Sequence, residues 1–214
     1  PTTLLAQVAA SIGGKVAVDH PRAKNLIGAF YQPRLVISDP QALETLPPEE
    51  YRCGLAEVIK AGVIGAPRLL AHLEQSGAEP LAAIVAQAIA VKVEVVVADP
   101  YERDRRAMLN FGHTIGHGIE AVSNFQLRHG DAVSVGMVAA TRMAIALGYC
   151  SPEVERRLSG LLQRFGLPVA MTGIAPAAVW RAMAADKKRQ RGRLRFVLPR
   201  DIGEVVIADD VPEE

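Results

Sequence analysis

The period of the apolar positions changes once along this chain, near Pro47. Before that point Gly13-Gly14, Pro21, Pro33, Pro40 and Pro47-Pro48 interrupt short β-type runs at 15–18 and 34–37, which predicts strands and loops. Beyond it the spacing is helical. Pro47-Pro48-Glu49-Glu50 reads as a helix start, because proline is tolerated in a first turn and carboxylates favour the positive end of the helix dipole; this helix is predicted to reach about Ile64. Further helices are predicted at 67–75, 79–98, 112–123, 131–148, 152–165 and 176–186. The tail departs from this pattern: 194–198 and 204–208 are β-rich runs separated by a turn, a hairpin signal. The predicted fold class is mainly α. A helical domain over 49–214 follows a mixed α/β segment over 1–48, and a short β-hairpin lies near the C-terminus.

Composition supports a packed helical protein and removes several functions. Half of the 214 residues are hydrophobic but only 5% are aromatic, a mix that suits closely packed helices better than a β-sandwich. Lys plus Arg is 24 against 23 for Asp plus Glu, so there is no electrostatic case for nucleic acid or an anionic membrane. The stretch 131–148 is about as long as a membrane span. It carries Asp131 and Arg142 and is rich in Ala, Gly and Ser, so it reads as a buried helix. The basic run from Lys187 to Arg195 lacks interleaved aromatics before Phe196, which argues against a nucleic-acid patch. Cys53 and Cys150 form no CxxC pair and read as small buried residues, in keeping with a reducing cytoplasm. No signal peptide is predicted.

The densest chemistry lies in Asn110-Phe111-Gly112-His113-Thr114-Ile115-Gly116-His117-Gly118-Ile119-Glu120, followed by His129-Gly130-Asp131. On a helix His113 and His117 are i and i+4 and share a face, with Glu120 one turn further. Thr114 stands where a zinc protease has its general-base Glu, which argues against a peptidase. Gly112, Gly116 and Gly118 are poor helix formers and imply close approach of another backbone. A catalytic zinc takes three ligands from His, Cys, Asp or Glu. No Cys is near, so a carboxylate is expected as the third. Glu57 is a candidate on an otherwise apolar helix, although an ordinary i, i+3 ion pair with Lys60 is the simpler reading of that spacing.

Six motifs together carry a family resemblance: Thr2-Thr3-Leu4-Leu5-Ala6-Gln7-Val8, Gly13-Gly14-Lys15, Lys24-Asn25-Leu26-Ile27-Gly28, residues 54–60, residues 110–117, and His129-Gly130-Asp131-Ala132-Val133. In order and spacing the chain resembles the 3-dehydroquinate synthases of the sugar-phosphate cyclase superfamily. The resemblance implies an N-terminal α/β domain binding NAD, of which 1–48 would be the last strands, and a helical metal- and substrate-binding domain. It implies a homodimeric cytoplasmic lyase of the shikimate pathway. The implied reaction converts 3-deoxy-arabino-heptulosonate 7-phosphate to 3-dehydroquinate plus phosphate by transient NAD oxidation, phosphate elimination, re-reduction and intramolecular aldol closure. Matching motifs imply Glu57, His113 and His129 as ligands of zinc or cobalt, with His117 near the substrate phosphate. They imply substrate contacts from Lys15, Asn25, Lys60, Lys92, Arg106, Asn110, Lys187 and Lys188, supported by Glu102. Thr2, Thr3, Lys15, Lys24 and the Ala42-Leu43-Glu44-Thr45 turn would contribute to the NAD site. A substrate with both a carboxylate and a phosphate explains why cations dominate.

Two departures bear on activity. The family usually reads Gln-Val-Asp where this chain has Gln7-Val8-Ala9. Reduced activity, a related sugar-phosphate cyclase and local compensation all fit that change. The glycine-rich loop for the cofactor pyrophosphate is not in these 214 residues, so the resemblance implies on the order of a hundred further N-terminal residues in a complete enzyme. The chain alone is then expected to bind NAD poorly and not to turn over. Two other readings stand beside this one: a polyol dehydrogenase, and a non-catalytic helical metal-binding module.

Overall fold

The computed structural model describes residues 1–20, 23–190, 194–209 and 211, with the backbone alone described for 19, 23–25 and 185–190. Seven helices and two separate antiparallel β-hairpins make up the fold among these residues. The helices are α1 (Pro48–Gly65), α2 (Pro67–Ser76), α3 (Leu81–Ala98), α4 (His113–Val122), α5 (His129–Ala146), α6 (Pro152–Arg164) and α7 (Pro176–Gln190). The strands are β1 (Lys15–His20), β2 (Ala23–Phe30), β3 (Phe196–Asp201) and β4 (Glu204–Ala208).

α1 is the central element. Twelve consecutive residues from Cys53 to Ile64 are buried, since α2, α3 and α5 pack around it and the β3–β4 hairpin touches it as well. The Gly203 N–H at the hairpin turn donates to the Val63 carbonyl of α1 at 2.8 Å. α5 is the second buried helix, lying between α1, α4 and α6. It starts at His129, two residues before the expected Asp131. α3 is the one helix among the described residues long and apolar enough to cross a membrane, and it lays Ile84, Val85, Ala88, Val91 and Val95 on the core. The N-terminal segment also enters this core. A π-helical turn, Ala6–Ala10, packs on α1 and α3, while Leu4, Val8 and Leu43 join the buried cluster.

The first 48 residues depart from expectation in two places. The run 34–37 is not a strand: it has no pairing partner among the described residues, and Leu35 and Ile37 are 76% and 71% exposed. β1 instead pairs with Ala23–Phe30, Lys15 opposite Phe30 and Val18 opposite Ile27. A β-type composition makes a strand only where a second edge supplies its hydrogen bonds, and 23–30 is the segment that pairs with β1.

Candidate functional site

Glu57 and Lys60 are the two charged side chains buried on α1. Glu57 Oε2 lies 2.6 Å from Lys60 Nζ, so the ion pair expected from their spacing is formed. The other oxygen, Oε1, is buried without a hydrogen-bond partner and faces two imidazoles, His113 Nε2 at 3.3 Å and His129 Nε2 at 3.6 Å. Leaving a buried acceptor unsatisfied costs roughly 1–3 kcal/mol, more for a charged group. Ligand atoms of Glu57, His113 and His129 lie within 4.8 Å of one another. One carboxylate and two imidazoles around an orphaned oxygen fit a divalent cation such as zinc, with a coordination position left over.

Glycines bring these residues together. Gly112 has φ +78°, a left-handed conformation that breaks the preceding 3-10 turn (Arg105–Asn110) and starts α4 at His113. A Cβ on Gly136 of α5 would lie 2.0 Å from the Gly112 carbonyl, so α4 and α5 touch backbone to backbone. At the other end of α5 a Cβ on Gly130 would fall 2.4 Å from the Cys53 carbonyl, and the Gly130 N–H donates to Cys53 Sγ at 3.0 Å. Cys53 and Glu57 are one turn apart on the same face of α1, so this contact sets His129 beside Glu57. Burial pushes the Cys53 thiol up, which leaves it a neutral packing residue.

Electrostatics separates the two histidines. Burial and then repulsion from Lys60 hold His113 down to about 4, so it is neutral, the form that ligates. Its Nδ1 lies 3.1 Å from the Phe111 carbonyl, which directs Nε2 toward Glu57. Burial would also lower His129, but the carboxylates of Glu120 and Glu57 on either side of its ring raise it to about 9. Glu57 is desolvated too, yet Lys60, His113 and His129 hold its carboxyl well below the usual range.

A cleft of about 310 Å³ opens onto this centre, and Lys15, Lys60, Lys92, Glu102, Arg106 and Asn110 line it together with Glu57, His113 and His129. Lys92 Nζ donates to the Ala9 carbonyl. Burial, then repulsion from Lys60, lowers Lys92 to about 8, although Glu57 opposes the shift. Glu102 pairs with Lys15 and accepts from Asn110 Nδ2 at 3.1 Å. Arg106 is buried, and its guanidinium donates to the carbonyls of Gly13 (2.7 Å) and Pro100 (2.6 Å), pinning the Gly13-Gly14 turn to the wall of the cleft.

The remaining expected residues lie elsewhere. His117 is mostly exposed and sits outside the cleft lining, 3.9 Å from Glu120. Thr3 Oγ1 accepts the Ala6 N–H at 3.1 Å beside the exposed Thr2. The Ala42 to Thr45 turn begins in a short 3-10 turn that Gln7 ties down by donating to the Asp39 carbonyl at 2.7 Å. Leu43 gives its side chain to the core, so only its backbone is open to a cofactor. The side chains of Lys24, Asn25, Lys187 and Lys188 lie outside the described residues.

Sequence reasoning missed Asp99 as an organiser of the site, and noted Glu120 for its spacing from His117 without pairing it with His129. Asp99 accepts the N–H groups of Arg103 (2.9 Å), Asp104 (2.8 Å) and Arg106 (3.0 Å), which draw it down to about 2 and fold the loop that presents Glu102 and Arg106. An Asp-Pro step directly after a helix is the signal that marks it. Glu120 is buried, with Oε1 3.4 Å from His129 Nδ1.

Comparison with known proteins agrees with this geometry. The family profile described as 3-dehydroquinate synthase N-terminal matches residues 1–53, and the one described as 3-dehydroquinate synthase C-terminal matches residues 54–189. A 3-dehydroquinate synthase from a Synechococcus strain is 47% identical over all of this chain and 61% of its own length. A 2-epi-valiolone synthase from Actinosynnema mirum is 49% identical over all of this chain and 59% of its own. The chain thus spans about 60% of the length of the curated relatives it matches. Among solved structures, the 2-epi-5-epi-valiolone synthase of Streptomyces hygroscopicus subsp. jinggangensis, with NAD+ and Zn2+ bound, superposes with TM-score 0.90 at 29% identity, covering 99% of this chain and 61% of that one. A 2-deoxy-scyllo-inosose synthase complexed with carbaglucose-6-phosphate, NAD+ and Co2+ gives 0.83 at 26% identity, over 99% of this chain and 61% of that one. With both profiles in sequence order and the carboxylate and histidines of their motifs meeting at one cleft, the chain belongs to the 3-dehydroquinate synthase family of sugar-phosphate cyclases.

Proposed function

We propose that this chain is the metal- and substrate-binding part of a 3-dehydroquinate synthase, a cytoplasmic and homodimeric lyase of the shikimate pathway. It would convert 3-deoxy-arabino-heptulosonate 7-phosphate to 3-dehydroquinate and phosphate. The observation that carries this reading is the convergence of a Glu57, His113 and His129 centre with Lys15, Lys60, Lys92 and Arg106 in one cleft. An anionic sugar phosphate needs cations at both ends, and a secondary alcohol to be oxidised and re-reduced needs a Lewis acid next to them. When bound, zinc or cobalt supplies that Lewis acid and NAD the reversible hydride acceptor.

The chain's own residues then divide the work. Glu57, His113 and His129 hold the cation, and Lys60 keeps the Glu57 carboxylate ionised. Lys15 and Lys92 bind substrate anions, Asn110 positions a hydroxyl, and Glu102 holds Lys15 and Asn110 in place. Arg106 contributes positive charge to the cleft wall. By family resemblance His117, near the substrate phosphate though outside the cleft lining, and Asn25, Lys187 and Lys188 add to the substrate site. Thr2, Thr3, Lys24 and the 42–45 turn touch NAD, which assigns 1–48 to the nucleotide domain and 49–214 to the helical domain. The enclosed cleft keeps the substrate in one reactive geometry through the successive steps.

One observation favours a second reading, a related cyclase with a different cyclitol product. Ala9 stands where the family's Asp is usual, and its carbonyl is bonded by the Lys92 ammonium. Product analysis decides between them: 3-dehydroquinate with stoichiometric phosphate release supports the synthase, another cyclitol supports the second reading, and accumulating NADH points to a dehydrogenase. These 214 residues alone are expected to bind zinc without turnover. Phosphate release by the isolated polypeptide with substrate, NAD and zinc overturns that expectation.

A further inference from the structure

Glu120 is a buried carboxylate to which the reaction above gives no task. It lies two helical turns after His113 on α4, on the side of the helix that faces the start of α5. Its Oε1 is 3.4 Å from His129 Nδ1, while His129 Nε2 faces Glu57 Oε1 at 3.6 Å. One imidazole is therefore held between two carboxylates, one on each ring nitrogen. His113 shows the same arrangement with different partners, Nε2 toward Glu57 and Nδ1 toward the Phe111 carbonyl.

We propose that Glu120 is a positioning residue of the metal centre, accepting the Nδ1–H of His129 so that the Nε2 lone pair is fixed toward the cation. This inference rests on the metal reading of Glu57, His113 and His129. Its physical basis is that a ligating histidine binds best when its other N–H is donated to an acceptor. The acceptor locks ring orientation and tautomer and makes the ligating nitrogen more basic. A carboxylate does this more strongly than a carbonyl. The chain thus supplies a weaker orienter for His113, from the backbone, and a stronger one for His129, whose place at the first residue of a helix gives it no preceding turn to pack against. The same atoms also allow a rival arrangement. His117, Glu120 and His129 offer ligand atoms within 4.8 Å of one another, a grouping in which Glu120 would itself bind an ion.

Zinc titration of the purified metal-free protein tests the proposal, compared with Glu120→Gln and with His113→Ala. The expected result is one zinc per chain in the wild type. Glu120→Gln, which keeps the shape and loses the charge, should weaken zinc affinity 10- to 100-fold with the stoichiometry unchanged. Two zinc ions per wild-type chain, or equal affinity in Glu120→Gln and wild type, overturns the proposal. Equal zinc binding in His113→Ala and wild type overturns the underlying metal assignment instead. Histidine ¹⁵N NMR of the zinc-loaded wild type gives an answer that needs no variant to fold: a protonated Nδ1 on His129 is expected, and a metal-bound or unprotonated Nδ1 refutes the role.

Discussion

The helical region and the β1–β2 arm treat similar residues in opposite ways. On α1 Val58, Ile59, Val63 and Ile64 are all but fully buried, whereas on the arm Val16, Val18, Leu26 and Ile27 are each at least half exposed. Composition does not distinguish them, since both runs are aliphatic and β-branched. Neighbours do: α1 is packed by α2, α3 and α5, whereas the arm meets the body of the chain near its base, where Lys15 pairs with Glu102 and Phe30 packs edge-on against Tyr101. Hydrophobic stabilisation follows the area removed from water, at about 25 cal/mol per Å², and not the hydropathy of the residue. The cluster of Glu57, His113 and His129 therefore sits in a frame these residues build for themselves. The arm leaves Val16, Val18, Leu26 and Ile27 at least half exposed among the described residues.

Substitutions in the two regions should differ in proportion. The largest effect is expected at Glu57. Glu57→Ala removes a proposed ligand and leaves Lys60 buried without its partner, so zinc content should fall to background and stability by about 3–5 kcal/mol. Elemental analysis and urea unfolding check both, and a variant that retains zinc would place the ligand set elsewhere. Next is Gly136→Ala, which sets a methyl against the Gly112 carbonyl and should cost about 1–3 kcal/mol by forcing α4 from α5. Its zinc affinity should fall as well, because His113 rides on α4 and His129 on α5.

A third effect depends on pH. Lys92, lowered to about 8, is charged at neutral pH and loses its proton as pH rises through that value. Affinity for a sugar-phosphate analogue should then fall by up to about tenfold per unit above pH 8, equivalent to about 1.4 kcal/mol. The decline should be absent in Lys92→Gln, and an identical pH profile in that variant would remove Lys92 from the anion site. The smallest effect is expected on the arm. Val18→Ser and Ile27→Ser should each change stability by no more than about 0.5 kcal/mol, and calorimetry showing a loss like that of Gly136→Ala would mean the arm is packed after all.

The arm also shows where sequence patterns mislead. Residues 34–37 have strand composition and no pairing partner among the described residues, while 23–30, which contains Lys24, Asn25 and Gly28, forms the strand by pairing with β1. Helices were easier to recognise, since their hydrogen bonds are local and their caps are written in neighbouring residues. The Pro47-Pro48-Glu49-Glu50 start and the αL Gly112 are examples. Glu57 lay between these cases. Spacing favoured an ion pair, family resemblance favoured a ligand, and the structure gives one oxygen to Lys60 and turns the other toward two histidines.

By itself the sequence determined the helices, the shared face of His113 and His117, the buried character of α1 and, through motif order, the family. Each depends on residues within a few turns of one another or on the order of motifs along the chain. Only the tertiary structure decided that His129 meets Glu57, that Lys92 comes from α3 to the same cleft, and that Glu120 stands behind the His129 ring. Those contacts are set by backbone approaches at Gly130 and Gly136, where the partner of each glycine is a carbonyl on another helix. A missing Cβ is visible in the sequence, but what fills its place depends on packing between distant segments, and no local period encodes that.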